Sequence, residues 1–125
     1  MNALTLSLNL NDKDTVLRKI FQNKNFRIAL SHAIDREAII GRFTPGALPH
    51  QAAPRPESPL YHTVLARQFI NHDPELATDY LAKANLTQKD DEGFLLRPDG
   101  KRLSFMIDTE GSDRFDMLNA FFFFF

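Results

Sequence analysis

The sequence predicts an α/β domain, on three observations. Residues 4–10 alternate with a period of two, two later stretches carry apolar residues at helical spacing, and residues 94–108 read as a hairpin. A chain of 125 residues has room for one domain with one core, and not for two lobes of ordinary size closing on a ligand. Apolar residues at 43% and charged residues at 25% are ordinary globular values, which argues against disorder and against a fibrous repeat.

In the first element Leu4, Leu6, Leu8 and Leu10 alternate with Thr5, Ser7 and Asn9, the pattern of a strand with one buried face. Polar turn formers occupy 11–14. Residues 15–25 then place Val16, Leu17, Ile20 and Phe21 at helical spacing, a short helix or a turn. Asn25 is placed to cap a helix over 26–43, in which Phe26, Ala29, Leu30, Ala33, Ile40 and Phe43 share one broad face. Ile28 and Ile39 lie opposite. A helix apolar on both sides is usually covered on both sides, so this one is expected to be the longest buried helix, with Leu30, Ala33 and Ile34 inaccessible. Glu37 falls inside the apolar arc, and the pattern offers no account of it.

Pro45 and Gly46 stop that helix, and Pro49, Pro54, Pro56 and Pro59 make 46–59 an extended, partly rigid loop. Loops of this length inside compact domains are often functional. A short helix is expected within 61–69. Asp73 followed by Pro74 is a helix start: the carboxylate accepts from orphan amides, and proline sits where its missing donor is harmless. Leu76, Ala77, Tyr80, Leu81 and Ala84 form the stripe of that helix, and Asn85 suits the left-handed residue that ends it. The hairpin turns at Pro98, Asp99 and Gly100, after which Leu103, Phe105 and Ile107 alternate with Ser104, Met106 and Asp108. A last helix is expected from near Ser112.

Residues 121–125 are five phenylalanines, for which no amphipathic helix or strand calls. Exposed, they would form an aggregation-prone patch. They read as a reading-frame or assembly accident, with a cap on a core as the alternative. The domain proper is therefore taken as residues 1–120, and 121–125 as an anomalous tail.

Several function classes lose support from composition. Fifteen Lys plus Arg against sixteen Asp plus Glu give a net charge of −1 with the basic residues scattered, which removes the electrostatic footprint of a nucleic-acid binder. The absence of cysteine removes disulfides, thiolate metal sites and cysteine nucleophiles. His32, His50, His62 and His72 show no pair at i and i+4, so no metal site is expected. Glu37, Asp73, Asp90, Asp91 and Glu92 read as caps and solvated loop charges, and neither a Gly-rich phosphate loop nor a nucleophile elbow is present. No catalytic residue and no cofactor is expected. Residues 1–11 lack the features of a secretory leader, and no stretch is apolar enough to insert in a bilayer.

The ordered set of a strand, Asn-Leu-Asn at 9–11, Arg-x-Ala-Leu-Ser-x-Ala-Ile-Asp-Arg-x-x-Ile-Ile at 27–40, a Gly/Pro-rich loop at 45–59, and Asp-Pro-x-x-Ala-x-x-x-Leu-x-x-Ala from 73 resembles the family 5 extracellular solute-binding proteins. These are the oligopeptide- and dipeptide-binding components of ABC importers. With the hairpin included, the resemblance covers nearly all of the chain before the phenylalanines. Asn85 stands where the family usually has glycine.

The resemblance implies a partial lobe of the two-lobed, class II periplasmic-binding-protein-like α/β fold, at the start of the second lobe. It also implies ligand capture without catalysis, with a peptide or other small molecule as ligand and an ABC permease as the partner of the full-length protein. The location implied is periplasmic or extracytoplasmic, with the export signal upstream of residue 1. Arg27, Asp35 and Arg36 are scaffold in this reading. Ser7 and Asn9 on the strand, with Thr44 and Gln51 in the loop after the long helix, are the candidate ligand contacts, since both elements approach the interlobe cleft in the resembled proteins. Two rival readings are a nonfunctional truncated gene product and a small unrelated enzyme or regulatory domain.

Overall fold

Four of the five helices among the described residues begin at a short polar side chain that caps them, and the fifth begins at His62 without such a bond. The computed structural model describes residues 5–51 and 54–108. Among them are α1 (Thr15–Gln22), α2 (Lys24–Ala33), α3 (Arg36–Phe43), α4 (Thr63–Arg67) and α5 (Pro74–Lys83). Asp14 Oδ1 accepts from the amides of Val16 at 3.0 Å and Leu17 at 3.2 Å and so starts α1. Asn23 ends α1 and starts α2, its amide donating to Lys19 and Ile20 carbonyls and its Oδ1 accepting from Asn25 N–H. Asp73 caps α5 through Leu76 N–H at 2.9 Å with Pro74 next, as the Asp-Pro pair predicts. Asn85 closes α5 at φ 59°.

The expected single helix over 26–43 is two helices. α2 ends at Ala33 and α3 starts at Arg36, with Ile34 extended and Asp35 also non-helical between them. Two groups accommodate the break. Asp35 Oδ1 accepts from Ala38 N–H at 2.9 Å, and Arg36 Nη1 reaches back to the Ser31 carbonyl at 2.7 Å, one of the orphan acceptors of the last turn of α2. The break resets the helical phase, so Glu37 is exposed in the first turn of α3 instead of lying on the apolar face of α2. Coverage on both sides holds for α2, where Ile28, Ala29 and Leu30 are all buried. It fails for α3, which buries no residue, and Ala33 and Ile34 are half-buried instead of inaccessible.

α2 packs chiefly on α5 and less on α1. The core gathers Leu17, Ile20 and Phe21 of α1, Phe26 and Leu30 of α2, and Leu86 just past α5. Phe21 meets Phe26 at 6.1 Å between ring centroids and Phe105 edge-on at 5.4 Å.

The expected strand over 4–10 is not formed among the described residues. Its burial does alternate at first, with Leu6 and Leu8 half-buried and Thr5, Ser7 and Asn9 exposed, but a strand needs a hydrogen-bonded neighbour and the described residues supply none. The hairpin is formed, and it has an additional arm. Segments 88–90, 94–97 and 101–103 pair antiparallel through two bridges, Lys89 with Leu95 and Leu96 with Arg102. Gly93 at φ 88° and Gly100 at φ 84° close the two turns. Beyond them Leu103, Phe105 and Ile107 are half-buried while Ser104, Met106 and Asp108 are exposed, the alternation expected. The helix expected from Ser112 and the run 121–125 lie outside the described residues. Among those described, no helix is long and apolar enough to cross a membrane.

Arg97 ties the hairpin to α1. Its guanidinium donates to Asp14 at 2.7 and 3.2 Å and to Asp99 at 3.0 and 2.6 Å. The hydrogen bond from Arg97, followed by the Leu17 amide, holds the Asp14 carboxyl below its ordinary value, and Arg97 does the same for Asp99. A carboxyl depressed in the folded state contributes stability that is present above its unfolded pKa, about 3.9 for aspartate, and is lost as pH falls through the folded value. The thermal midpoint is therefore expected to drop as pH is lowered from about 5, and to drop less steeply in Arg97→Gln. Identical pH profiles for the two proteins would show that the clasp does not couple to folding.

Candidate functional site

Polar side chains converge where α2 ends. Ser31 is buried there, and its hydroxyl has every hydrogen-bonding position filled. It donates to the Phe69 carbonyl at 2.7 Å and accepts from Arg36 Nη2 at 2.8 Å and Gln51 Nε2 at 2.9 Å. The second amide hydrogen of Gln51 goes to the Gln68 carbonyl at 2.8 Å, and Gln51 N–H donates to the Ala66 carbonyl at 2.8 Å. One serine thus joins three pieces of chain: the end of α2, the Pro-rich loop, and the segment between α4 and α5.

His32, also buried, reinforces the same junction. Its Nδ1 lies 2.9 Å from the Asn71 carbonyl, its ring stacks on Tyr80 and meets Phe69 edge-on, and its own carbonyl accepts from Asp73 N–H at 2.9 Å. Phe69 sits at φ 55°, a left-handed conformation that a bulky side chain adopts only when its surroundings hold it there. The bond from Ser31 and the His32 ring supply that constraint.

Arg36 lies at the edge of this junction. Burial pushes its guanidinium below the usual arginine value. Its bonds among the described residues all go to neutral oxygens: the Ser31 carbonyl and hydroxyl and, at 3.4 Å, the Ile70 carbonyl. Asp35 instead faces His72, with Oδ2 3.4 Å from Nδ1. These groups, with Glu37, Pro49 and Asn71, line an open cleft of about 420 Å³. Its walls carry both signs of charge, so the cleft has no single-sign preference. Among the described residues no group of three or more His, Cys, Asp or Glu is placed to hold a metal ion.

No hydrogen bond joins any two of the four candidate ligand contacts among the described residues. Ser7 and Asn9 are exposed on the first segment, where Asn9 Oδ1 accepts from Asn11 N–H at 3.1 Å in a local turn. Thr44 ends α3, its amide donating to the Ile40 carbonyl at 2.9 Å. Gln51 has both side-chain amide hydrogens committed inside the chain, to Ser31 and to the Gln68 carbonyl. None of the four lines the 420 Å³ cleft. Arg27, Asp35 and Arg36 are used as scaffold, Arg27 through Nη1 bonds to the Phe21 and Gln22 carbonyls that end α1. Sequence reasoning did not find the Ser31 junction, because its partners come from 20 and 38 residues away and carry no shared motif.

The sequence matches the family described as bacterial extracellular solute-binding proteins, family 5 middle region, over residues 1–121. The chain belongs to this family. Among solved structures, an oligopeptide-binding protein OppA superposes on this family 5 chain with a TM-score of 0.88 at 34% sequence identity, covering 94% of it. The likeness shows the fold to be that of the corresponding part of a class II periplasmic-binding-protein-like α/β protein. The chain spans 19% of the length of that protein. A comparison with curated proteins yields no match.

Proposed function

We propose that this family 5 chain is part of the substrate-binding component of an ABC importer for peptides or similar small solutes, acting outside the cytoplasm by ligand capture without catalysis. In this reading residues 1–120 open the second lobe, and the permease is the partner of the complete protein. The observation that carries it is the match in fold and sequence to the oligopeptide-binding protein over 94% of the chain. Ser7, Asn9, Thr44 and Gln51 are proposed as polar contacts along one wall of a cleft whose other walls lie outside the described residues.

Receptors of this kind bury most of a ligand between walls, and one partial wall leaves it solvated. Calorimetry of the 125-residue chain against di- to pentapeptides is therefore expected to show no saturable heat. Micromolar binding, worth about 8 kcal/mol, would mark a self-sufficient binding domain instead. Carried within the oligopeptide-binding protein in place of its matched segment, residues 5–108 are expected to support peptide binding. A folded chimera that binds none would overturn the proposal.

A further inference from the structure

Asp99 and Gly100 form the one place in the sequence where aspartate precedes glycine. Such a pair can react with itself. The glycine amide nitrogen attacks the aspartate Cγ, and the amide proton leaves with the carboxyl hydroxyl as one water, closing a five-membered succinimide. Water then opens the ring at either carbonyl. One opening restores aspartate; the other leaves isoaspartate, in which the backbone runs through the side chain and is longer by one methylene. Glycine favours the attack because it has no side chain to crowd the nitrogen. Neighbours give no protection either, since a Cβ built at Gly100 would meet nothing within 4 Å.

The hairpin turn engages both reactants. Asp99 Oδ1 accepts from Arg97 Nε at 3.0 Å and Oδ2 from Arg97 Nη2 at 2.6 Å, so both carboxylate oxygens sit in the guanidinium fork. Ring closure expels the hydroxyl of a protonated carboxyl, whereas this contact favours the ionised form and holds Asp99 below its ordinary value. The nucleophile is tied down as well. Gly100 N–H donates to the Arg97 carbonyl at 2.9 Å, a bond it must give up before its nitrogen can turn to Cγ.

We propose that the bond between Asp99 and Gly100 is a latent isomerisation site of this chain, and that the Arg97 fork is the lock that keeps it an ordinary aspartyl linkage. The position makes the reaction costly for the fold. Leu95 and Leu103, which pack against the core, lie on the two arms that this turn joins, and Leu96 pairs with Arg102 across it. Turn geometry sets hairpin register, so an extra methylene in the turn shifts that pairing and draws both leucines off the core.

The test is ageing of the folded 125-residue chain in warm neutral buffer, with isoaspartate at residue 99 measured by peptide mapping and by enzymatic methylation of isoaspartyl carboxyls. A synthetic peptide of residues 94–103 gives the rate without the fold. The wild-type chain is expected to isomerise several-fold more slowly than the peptide, and Arg97→Gln several-fold faster than wild type. Arg97→Lys, which keeps the charge and loses the fork, is expected to fall between them. Asp14→Asn weakens the other tie of Arg97, to α1, while keeping a capping side chain there and the fork on Asp99, so it is expected to age at the wild-type rate. A wild-type chain that isomerises as fast as the peptide overturns the lock, and so do Arg97 variants that age no faster than wild type. Asp14→Asn ageing as fast as Arg97→Gln also overturns it, because general loosening of the hairpin would then set the rate.

Discussion

Phe26→Ala is expected to lower the stability of the chain by about 3–5 kcal/mol, the range for removing a buried aromatic ring. Phe26 is 2% exposed and sits where α1, α2 and the residue after α5 meet, touching the Phe21 ring within a cluster that also holds Leu17, Ile20, Leu30 and Leu86. Contributions to that cluster come from both ends of the described sequence, so the cavity cannot close by the shift of one element. Because single domains are stable by only about 5–15 kcal/mol in total, the loss is a large share of what holds the chain folded. Urea unfolding followed by circular dichroism measures it. A midpoint unmoved by the substitution would place the core elsewhere. Leu30→Ala, one turn along the same face, is expected to act in the same direction.

Local signals were legible in the sequence where one residue decides the backbone. Asp73 with Pro74 marks the start of α5, Asn85 marks its end, and the turn at Pro98, Asp99 and Gly100 lies where those residues predict it. The long helix shows the limit of periodicity. Apolar residues continue at helical spacing through 26–43, yet the backbone breaks at Ile34 and Asp35, because Asp35 can cap a new helix and Arg36 can satisfy a carbonyl of the old one. Periodicity reports which face is apolar and is blind to such a restart. The alternation in 4–10 has the converse limit: it predicts which side chains turn inward, and cannot provide the neighbour that would make the segment a strand.

The first hairpin arm was legible in retrospect. Asp90, Asp91, Glu92 and Gly93 are a turn with glycine at its left-handed position, and Asp90 Oδ1 accepts from the Glu92 and Phe94 amides. The reading of these carboxylates as caps and solvated loop charges fits the capping role of Asp90, and what it passed over is the turn that Gly93 completes. The candidate ligand contacts rest on the resemblance, and the structure adds a physical constraint on one of them: Gln51 belongs to the Ser31 junction and has both side-chain amide hydrogens committed there.

Ser31→Ala is expected to destabilise the chain by about 1–3 kcal/mol, far more than the loss of one small side chain would suggest. The hydroxyl is buried with all three of its bonding positions in use. Its removal strands the Gln51 amide and an Arg36 donor, and frees the Phe69 carbonyl whose bond helps to hold a left-handed backbone. Arg36 makes the loss worse, because its partly desolvated guanidinium has neutral oxygens as partners and no carboxylate to fall back on among the described residues. The junction makes a further demand on any double variant. If Ser31 and Gln51 act through their shared bond, Ser31→Ala combined with Gln51→Ala must cost less than the two changes added, since the second removes a donor that the first has already orphaned. Urea unfolding of the four proteins measures this coupling. Additivity within about 0.3–0.5 kcal/mol would show that the Pro-rich loop is held to α2 by something other than this serine.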